Sequence, residues 1–277
     1  MRRFCVVLPL MLLFMMSCDG NKKVRNEGSD APDDSTQMGD SNTLARSFDD
    51  ILMPKAADEL FDDFIFNFSA NRKLQMERIA FPLKVSGEEK SRKIQKSEWK
   101  MECFFMHQGY YTLLFDNEKH MEIVKDTNVR HAVVEKIYFK SEQVKQYVFD
   151  RIRGLWMLTS VQTIPFNEAL NSTFLPFYYK FATDKDFQQH HLSQTVRFVG
   201  PDPDDDFSQM EGIITPDTWE AFAPQLPSKM IYNIIYGDPK SEGNHKIFVL
   251  RGIANGMELQ MTFRKKGGVW KLTMLTT

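Results

Sequence analysis

Gly154-Leu155-Trp156-Met157-Leu158-Thr159 is written a second time as Gly268-Val269-Trp270-Lys271-Leu272-Thr273, at an offset of 114 residues. In each copy Trp alternates with Leu, and a glycine opens the segment. That pattern predicts a strand with one buried face, entered through a tight turn. Working back from this pair, three more segments recur in the same order. Phe61, Phe64 and Phe68, followed by Asn71 and Gln75, match Phe174, Phe177 and Phe181, followed by Asp184 and Gln188. Ile94 and Trp99 match Ile214 and Trp219, and Leu113-Leu114-Phe115-Asp116 matches Ile234-Ile235-Tyr236-Gly237. Four collinear matches indicate an internal duplication. Two units of about 110 residues suit ordinary domain size better than a solenoid, which needs more and shorter repeats.

Each unit opens with a helical pattern. Leu60, Phe61, Phe64, Ile65 and Phe68 share one helical face, and Phe174, Phe177, Tyr178 and Phe181 repeat that stripe. Asn71 and Asp184 are placed to cap a second short helix. Thr215-Pro216-Asp217 ahead of Trp219 predicts a further helix start, with Ser97-Glu98 ahead of Trp99 a weaker version. The remainder reads as strands, at 144–149 and 155–161 in the first unit and at 230–236, 246–253, 257–263 and 269–275 in the second. Lys265-Lys266-Gly267-Gly268 signals the last hairpin.

Helices first, then an antiparallel meander closing on the Trp hairpin, resembles the nuclear transport factor 2-like fold. The resemblance implies an α+β class with two tandem domains, at 56–165 and 166–277, each with helices packed on a curved antiparallel sheet around an apolar pocket. It also implies that an Asp or His in such a pocket can serve as a general base. The whole chain resembles a family of gut-bacterial lipoproteins with no assigned function, which implies a compartment and a fold but no activity.

The start of the chain carries an address. Arg2 and Arg3 precede an apolar run from Phe4 to Met16, then Ser17 and Cys18. A charged start, a short apolar core and a small residue read as a secretory signal over residues 1–17. The run is shorter than the roughly 20 residues that span a bilayer. Met15-Met16-Ser17-Cys18 resembles the bacterial lipobox, with Met15 where leucine is usual. The resemblance implies acylation of Cys18, which would make the lipid bilayer a partner and place the chain at the bacterial cell envelope, on the periplasmic or surface face of the outer membrane. Residues 18–55 hold few large apolar side chains and read as a flexible tether. Cys5 would leave with the signal, so Cys103 would be the remaining thiol and no internal disulfide is expected. With 35 Lys and Arg against 37 Asp and Glu, and no basic stripe, nucleic acid is not an expected partner.

Chemistry is sparse. Aromatic residues that could line a pocket are Tyr178, Tyr179, Trp219 and Tyr232, with Tyr110 and Tyr111 as further tyrosines, and His190-His191 is the one suggestive titratable pair. Adjacent helical residues do not face each other, so one histidine at most points inward. The first unit has Glu77 and Arg78 at those places. Most of the tyrosine hydroxyls are expected to reach solvent. Asp202, Asp204 and Asp206 have the alternate spacing of a calcium loop, yet Phe207 and Ile213 stand where that loop needs glycine and glutamate. A solvated acidic turn without metal is the expectation. Cys103, among Met101, Phe104, Phe105 and Met106, reads as a buried, inert thiol. No cofactor motif and no catalytic triad spacing is present. The expected function is a membrane-anchored, non-catalytic lipoprotein that binds a small apolar or amphipathic ligand or an envelope protein. An enzyme with a general base in the second unit is the alternative, and a structural pseudo-dimer packed sheet to sheet is a third possibility.

Overall fold

The structure, a computed structural model, describes residues 58–277 except 88, 89 and 203, and leaves out the side chains of 206 and 207. The signal, Cys18 and the tether up to residue 55 lie outside the described residues. In the first repeat, helices α1 (Phe61–Ala70) and α2 (Arg72–Glu77) precede strands β1 (Ile79–Ser86), β2 (Ser91–Ile94) and β3 (Tyr110–Phe115). A short helix α3 (Glu118–Met121) then leads to β4 (His131–Tyr138), β5 (Gln143–Ile152) and β6 (Leu155–Pro165). The second repeat has α4 (Phe174–Thr183), α5 (Lys185–His190), β7 (Leu192–Asp202), β8 (Asp205–Ile214) and β9 (Met230–Tyr236). It ends with β10 (His245–Gly252), β11 (Glu258–Lys266) and β12 (Val269–Thr276).

The helical stripes bury as their spacing requires. Phe61, Phe64, Ile65 and Phe68 are buried on α1, and Phe174, Phe177, Tyr178 and Phe181 on α4. Asn71 accepts the Leu74 N–H and Asp184 the Phe187 N–H, so both short helices are capped where the sequence places the caps. Before Trp219 there is no α-helix. Thr215 to Thr218 form a turn, and Trp219–Ala221 is a single 3-10 turn. The Pro and the acid are present, but the apolar stripe that would hold a longer helix against the core is missing. Likewise Lys96–Glu98 is one 3-10 turn.

All twelve strands join one sheet, in the order β2-β1-β6-β5-β4-β9-β3-β10-β11-β12-β7-β8. Strand pairings recur between the two halves of the sheet. Each repeat closes with a parallel pair, Ile79 opposite Leu158 and Leu192 opposite Leu272. The register shifts between Val148 and Phe149, where Thr159 of β6 is the extra residue, and again between Thr262 and Phe263, where Thr273 of β12 is. The last hairpins turn on Arg153-Gly154 and Gly267-Gly268, all at positive φ, which glycine tolerates without a Cβ clash.

At the centre the repeats interleave. If each repeat kept its own third strand, the order there would be β4-β3-β9-β10. Instead β4 pairs with β9, β10 pairs with β3, and β3 runs parallel to β9. Each repeat has lent its third strand to the other. The repeats therefore meet strand to strand in one sheet, in place of the sheet-to-sheet packing considered from the sequence.

Two aromatic cores lie on opposite faces of this sheet. Along β10, Ile247 and Val249 enter the core under α1, while Phe248 and Leu250 enter the core under α4. The same alternation corrects the alignment of the central strands. Tyr111, Leu113 and Phe115 of β3 face the first core, and Ile231 of β9 faces the second. Equivalent residues, which face opposite cores, are thus 120 apart, as Trp99 and Trp219 are; the offset of 121 used above pairs Leu113 with Ile234, which both face the first core, since a slip of one reverses every side chain.

Candidate ligand site

Both cores carry the same polar brace at the mouth. The carboxamide of Gln75 donates to the Phe68 carbonyl (2.8 Å) and accepts the Trp99 indole N–H (3.0 Å). Gln188 does the same with Phe181 (2.7 Å) and Trp219 (2.9 Å). Beyond that brace the repeats diverge. Three residues after Trp99 stands Glu102, whose carboxylate accepts the hydroxyls of Tyr147 (2.5 Å) and Tyr232 (3.1 Å) and lies 3.5 Å from the Lys136 ammonium. Lys136 also sits over the Tyr232 ring, and Lys145 over the Tyr147 ring. Burial opposes the charge on Glu102, but the Tyr147 hydroxyl, the nearby Lys136 and the Tyr232 hydroxyl outweigh it and hold the pKa below the ordinary carboxylate value. Burial opposes the Lys136 charge too, and is outweighed by Tyr232 and Glu102, so its pKa is raised. Burial, and then the Glu102 charge, push the Tyr147 hydroxyl up. Glu102, Lys136 and Tyr147 thus move away from neutrality, the reverse of what an acid or base working near pH 7 requires, while burial lowers the Lys145 pKa.

In the second repeat the same places are apolar. Phe222 stands three residues after Trp219. Lys136 and Lys145 face each other across β4 and β5; Leu250 and Leu259 face each other across β10 and β11. Met261 stands for Tyr147. With no network drawing the mouth shut, a groove of about 670 Å³ opens there, lined by Leu250, Leu259, Met257 and Pro224 and edged by Gln209 and Gln225. Met257 and Phe222 are each 44% exposed, and Phe222 rests on Phe198. The groove also carries the Glu258 carboxylate, which accepts from Arg251 Nε at 2.8 Å, and its carboxamides and the hydroxyls of Thr276 and Thr277 can orient a ligand.

The residues proposed from sequence are not gathered in one pocket. Tyr178 is buried, stacked on Phe248, and its hydroxyl donates to the Pro227 carbonyl (3.0 Å). Tyr179 stacks on Phe139. Trp219 is buried in its brace and borders a neighbouring cleft of about 690 Å³. His190 is exposed and its ring meets the Asp186 carbonyl. His191 is half-buried, stacked on Phe187, and borders a shallow groove beside Lys180. Tyr232 belongs to the first core, on the other face of the sheet. Of the tyrosines named from sequence, Tyr178 and Tyr232 have hydroxyls bonded inside the protein instead of reaching solvent; so do Tyr147 and Tyr236, which the sequence did not single out. Interior aromatics fill both cores; Trp156, Phe64, Phe68 and Phe149 are fully buried in one, and Phe174, Tyr178, Phe181 and Phe248 in the other. Cys103 is half-buried. Asp202 and Asp205 form the β7–β8 hairpin turn, with the Asp202 carboxylate accepting the Asp204 N–H. Among the described residues no set of three or more His, Cys, Asp or Glu side chains is placed to hold a metal. Leu250 and Leu259 were missed from the sequence, although a signal existed. Aligning the two copies and asking where lysine becomes leucine finds both.

Comparison with known proteins adds the following. Residues 40–277 match the profile of a family described as a domain of unknown function, DUF4348. The crystal structure of an NTF2-like protein from Bacteroides fragilis is similar at 41% identity and a TM-score of 0.72, covering 81% of this chain and 98% of that one. No curated protein matches the chain.

Proposed function

Because the chain belongs to the DUF4348 family of unknown function, we propose its role from its own geometry: a non-catalytic binding protein that receives a small apolar or amphipathic molecule in the groove of the second repeat. The observation that carries this reading is the divergence of the two mouths, one closed by Glu102, Lys136, Tyr147 and Tyr232, the other apolar and open beside Leu250 and Leu259. A groove of several hundred Å³ with apolar walls and a few convergent amides is the usual form of a small-ligand site. The proposal includes two tandem cone domains that have exchanged their third strands. It also includes export by residues 1–17, acylation of Cys18 and a tether that holds the folded part at the bacterial envelope. The alternative, an enzyme with a base in the second repeat, is disfavoured by the position of His191, whose ring lies flat against Phe187 with Nδ1 on the Phe187 carbonyl (2.8 Å).

The test is native mass spectrometry of the full chain purified from its own membrane, followed by thermal-shift titration with dodecanoate and dodecyl maltoside as probes. Met257→Glu, at the exposed rim, is expected to weaken binding about tenfold or more without lowering the melting temperature, since it places a charge against the apolar wall. No copurifying mass and no shift with either probe would end the reading.

A further inference from the structure

The strand exchange has a consequence at the ends of β3 and β9. These strands run parallel, so their C-terminal ends lie side by side. The chain leaving β3 must pass β9 to reach β4, and the chain leaving β9 must pass β3 to reach β10. The two connections cross at one edge of the sheet, which chains ordinarily avoid. They also touch: the Gly243 N–H points to the Asp116 carboxylate at 3.4 Å, and His245 Nδ1 meets the Asp116 carbonyl at 2.9 Å. Between these crossing connections and the ends of β3 and β9 a crevice is left.

Here the crevice is a cavity of about 200 Å³. An apolar cavity of about 150 Å³ is enough for benzene, so this one has room for a molecule somewhat larger. Leu114, Ile123, Leu170 and Ile235 form its apolar wall, and Asp116 and Lys246 its polar end. The Lys246 side chain is 1% exposed, and its ammonium lies 2.5 Å from Asp116 Oδ1. Among the described residues that is the ammonium's one hydrogen bond, which leaves two of its three donors without an acceptor. Asp116 Oδ2 likewise accepts none. Neither residue has a charged equivalent in the other repeat, where Ala132 stands for Lys246 and Tyr236 for Asp116. The buried Lys246 ammonium, with two donors unmet, is costly unless something completes it, and beside it the Asp116 carboxylate, 22% exposed, has an oxygen free to bind.

We propose that this crevice is a second binding site, which takes the zwitterionic head of a small α-amino acid with an aliphatic side chain. A lone anion would meet Asp116 and the rim carboxylate of Asp238, and a lone cation would meet Lys246. A molecule carrying both charges on neighbouring atoms offers its carboxylate to Lys246 and its ammonium to Asp116, with the side chain against Leu114, Ile123, Leu170 and Ile235. The site is separate from the groove of the second repeat and does not rest on it.

Calorimetric titration of the full chain with L-leucine tests this. Saturable binding is expected, weakened about tenfold or more in N-acetyl-L-leucine and in L-leucinamide, each of which removes one of the two charges. Leu170→Trp, which fills the cavity from its half-exposed side, is expected to abolish binding while the melting temperature holds. Met257→Glu is expected to leave leucine binding unchanged, which separates this site from the groove. Absence of heat up to about 10 mM leucine, a weak-binding limit, would overturn the proposal. So would binding that survives Leu170→Trp, or equal affinity for the two blocked derivatives.

Discussion

Glu135 sits fully inside the shared sheet, and its two oxygens accept from amides, Gln146 Nε2 at 2.9 Å and Asn233 Nδ2 at 3.0 Å. Burial raises its pKa above the ordinary 4.5, and the two amides and the Lys246 charge offset only part of that. Between 4.5 and the raised folded value, the native state holds a proton that the unfolded chain releases. The Glu135 contribution to stability is therefore greatest below 4.5 and falls as pH rises through that window. Glu135→Gln is expected to flatten this slope and to stabilise the protein at pH 7, on the order of 1–3 kcal/mol. Turning the Asn233 amide over would offer its partnerless Oδ1 to the new Nε2. Urea titrations between pH 4 and 8 would show it, and a variant with an unchanged pH slope would contradict the account. Nothing in the sequence distinguishes Glu135 from a surface glutamate. It lies in a strand whose neighbour, β9, comes from nearly 100 residues away, and that pairing buries it.

At the scale of elements, local signals decided most of what was read correctly. The α1 and α4 stripes, the Asn71 and Asp184 caps and the glycine hairpins depend on residues within a few positions of one another, so a linear reading suffices. Asp184→Ala is expected to cost about 1 kcal/mol, because the Phe187 N–H loses its acceptor at the start of a six-residue helix with little strength of its own. Denaturant midpoints compared with Asp184→Ser, which keeps a cap, would check it; equal losses in both variants would show that the cap is not the cause. The calcium-like spacing and the Thr-Pro-Asp start were also local signals, and both were insufficient. A hairpin turn and a single 3-10 turn use the same residues without the apolar face or the ligands that a longer element needs.

For the folded part as a whole, the exchange of β3 and β9 ties the repeats together. Independent tandem domains could unfold in two steps. Here each core is roofed by a strand from the other repeat: Tyr232, Ile234 and Tyr236 serve the first, and Tyr110 and Leu114 pack on the second. A single cooperative transition is expected, with calorimetric and van't Hoff enthalpies in agreement. In hydrogen exchange the central amides of Leu113 and Ile234 are expected to open only with global unfolding. Two resolved transitions would refute the coupling.

The helical stripes, the caps and the hairpins were legible in the chain by itself, because these are periodic or local. Only the tertiary structure decided which repeat owns each central strand, which face each central residue presents and which mouth stays open. β3, β9 and β10 are apolar on both faces, Tyr110 to Phe115, Met230 to Tyr236 and Ile247 to Leu250, and such a run has no alternation from which a face could be read. The choice among neighbours then falls to packing between residues more than 100 positions apart, and no linear pattern records it.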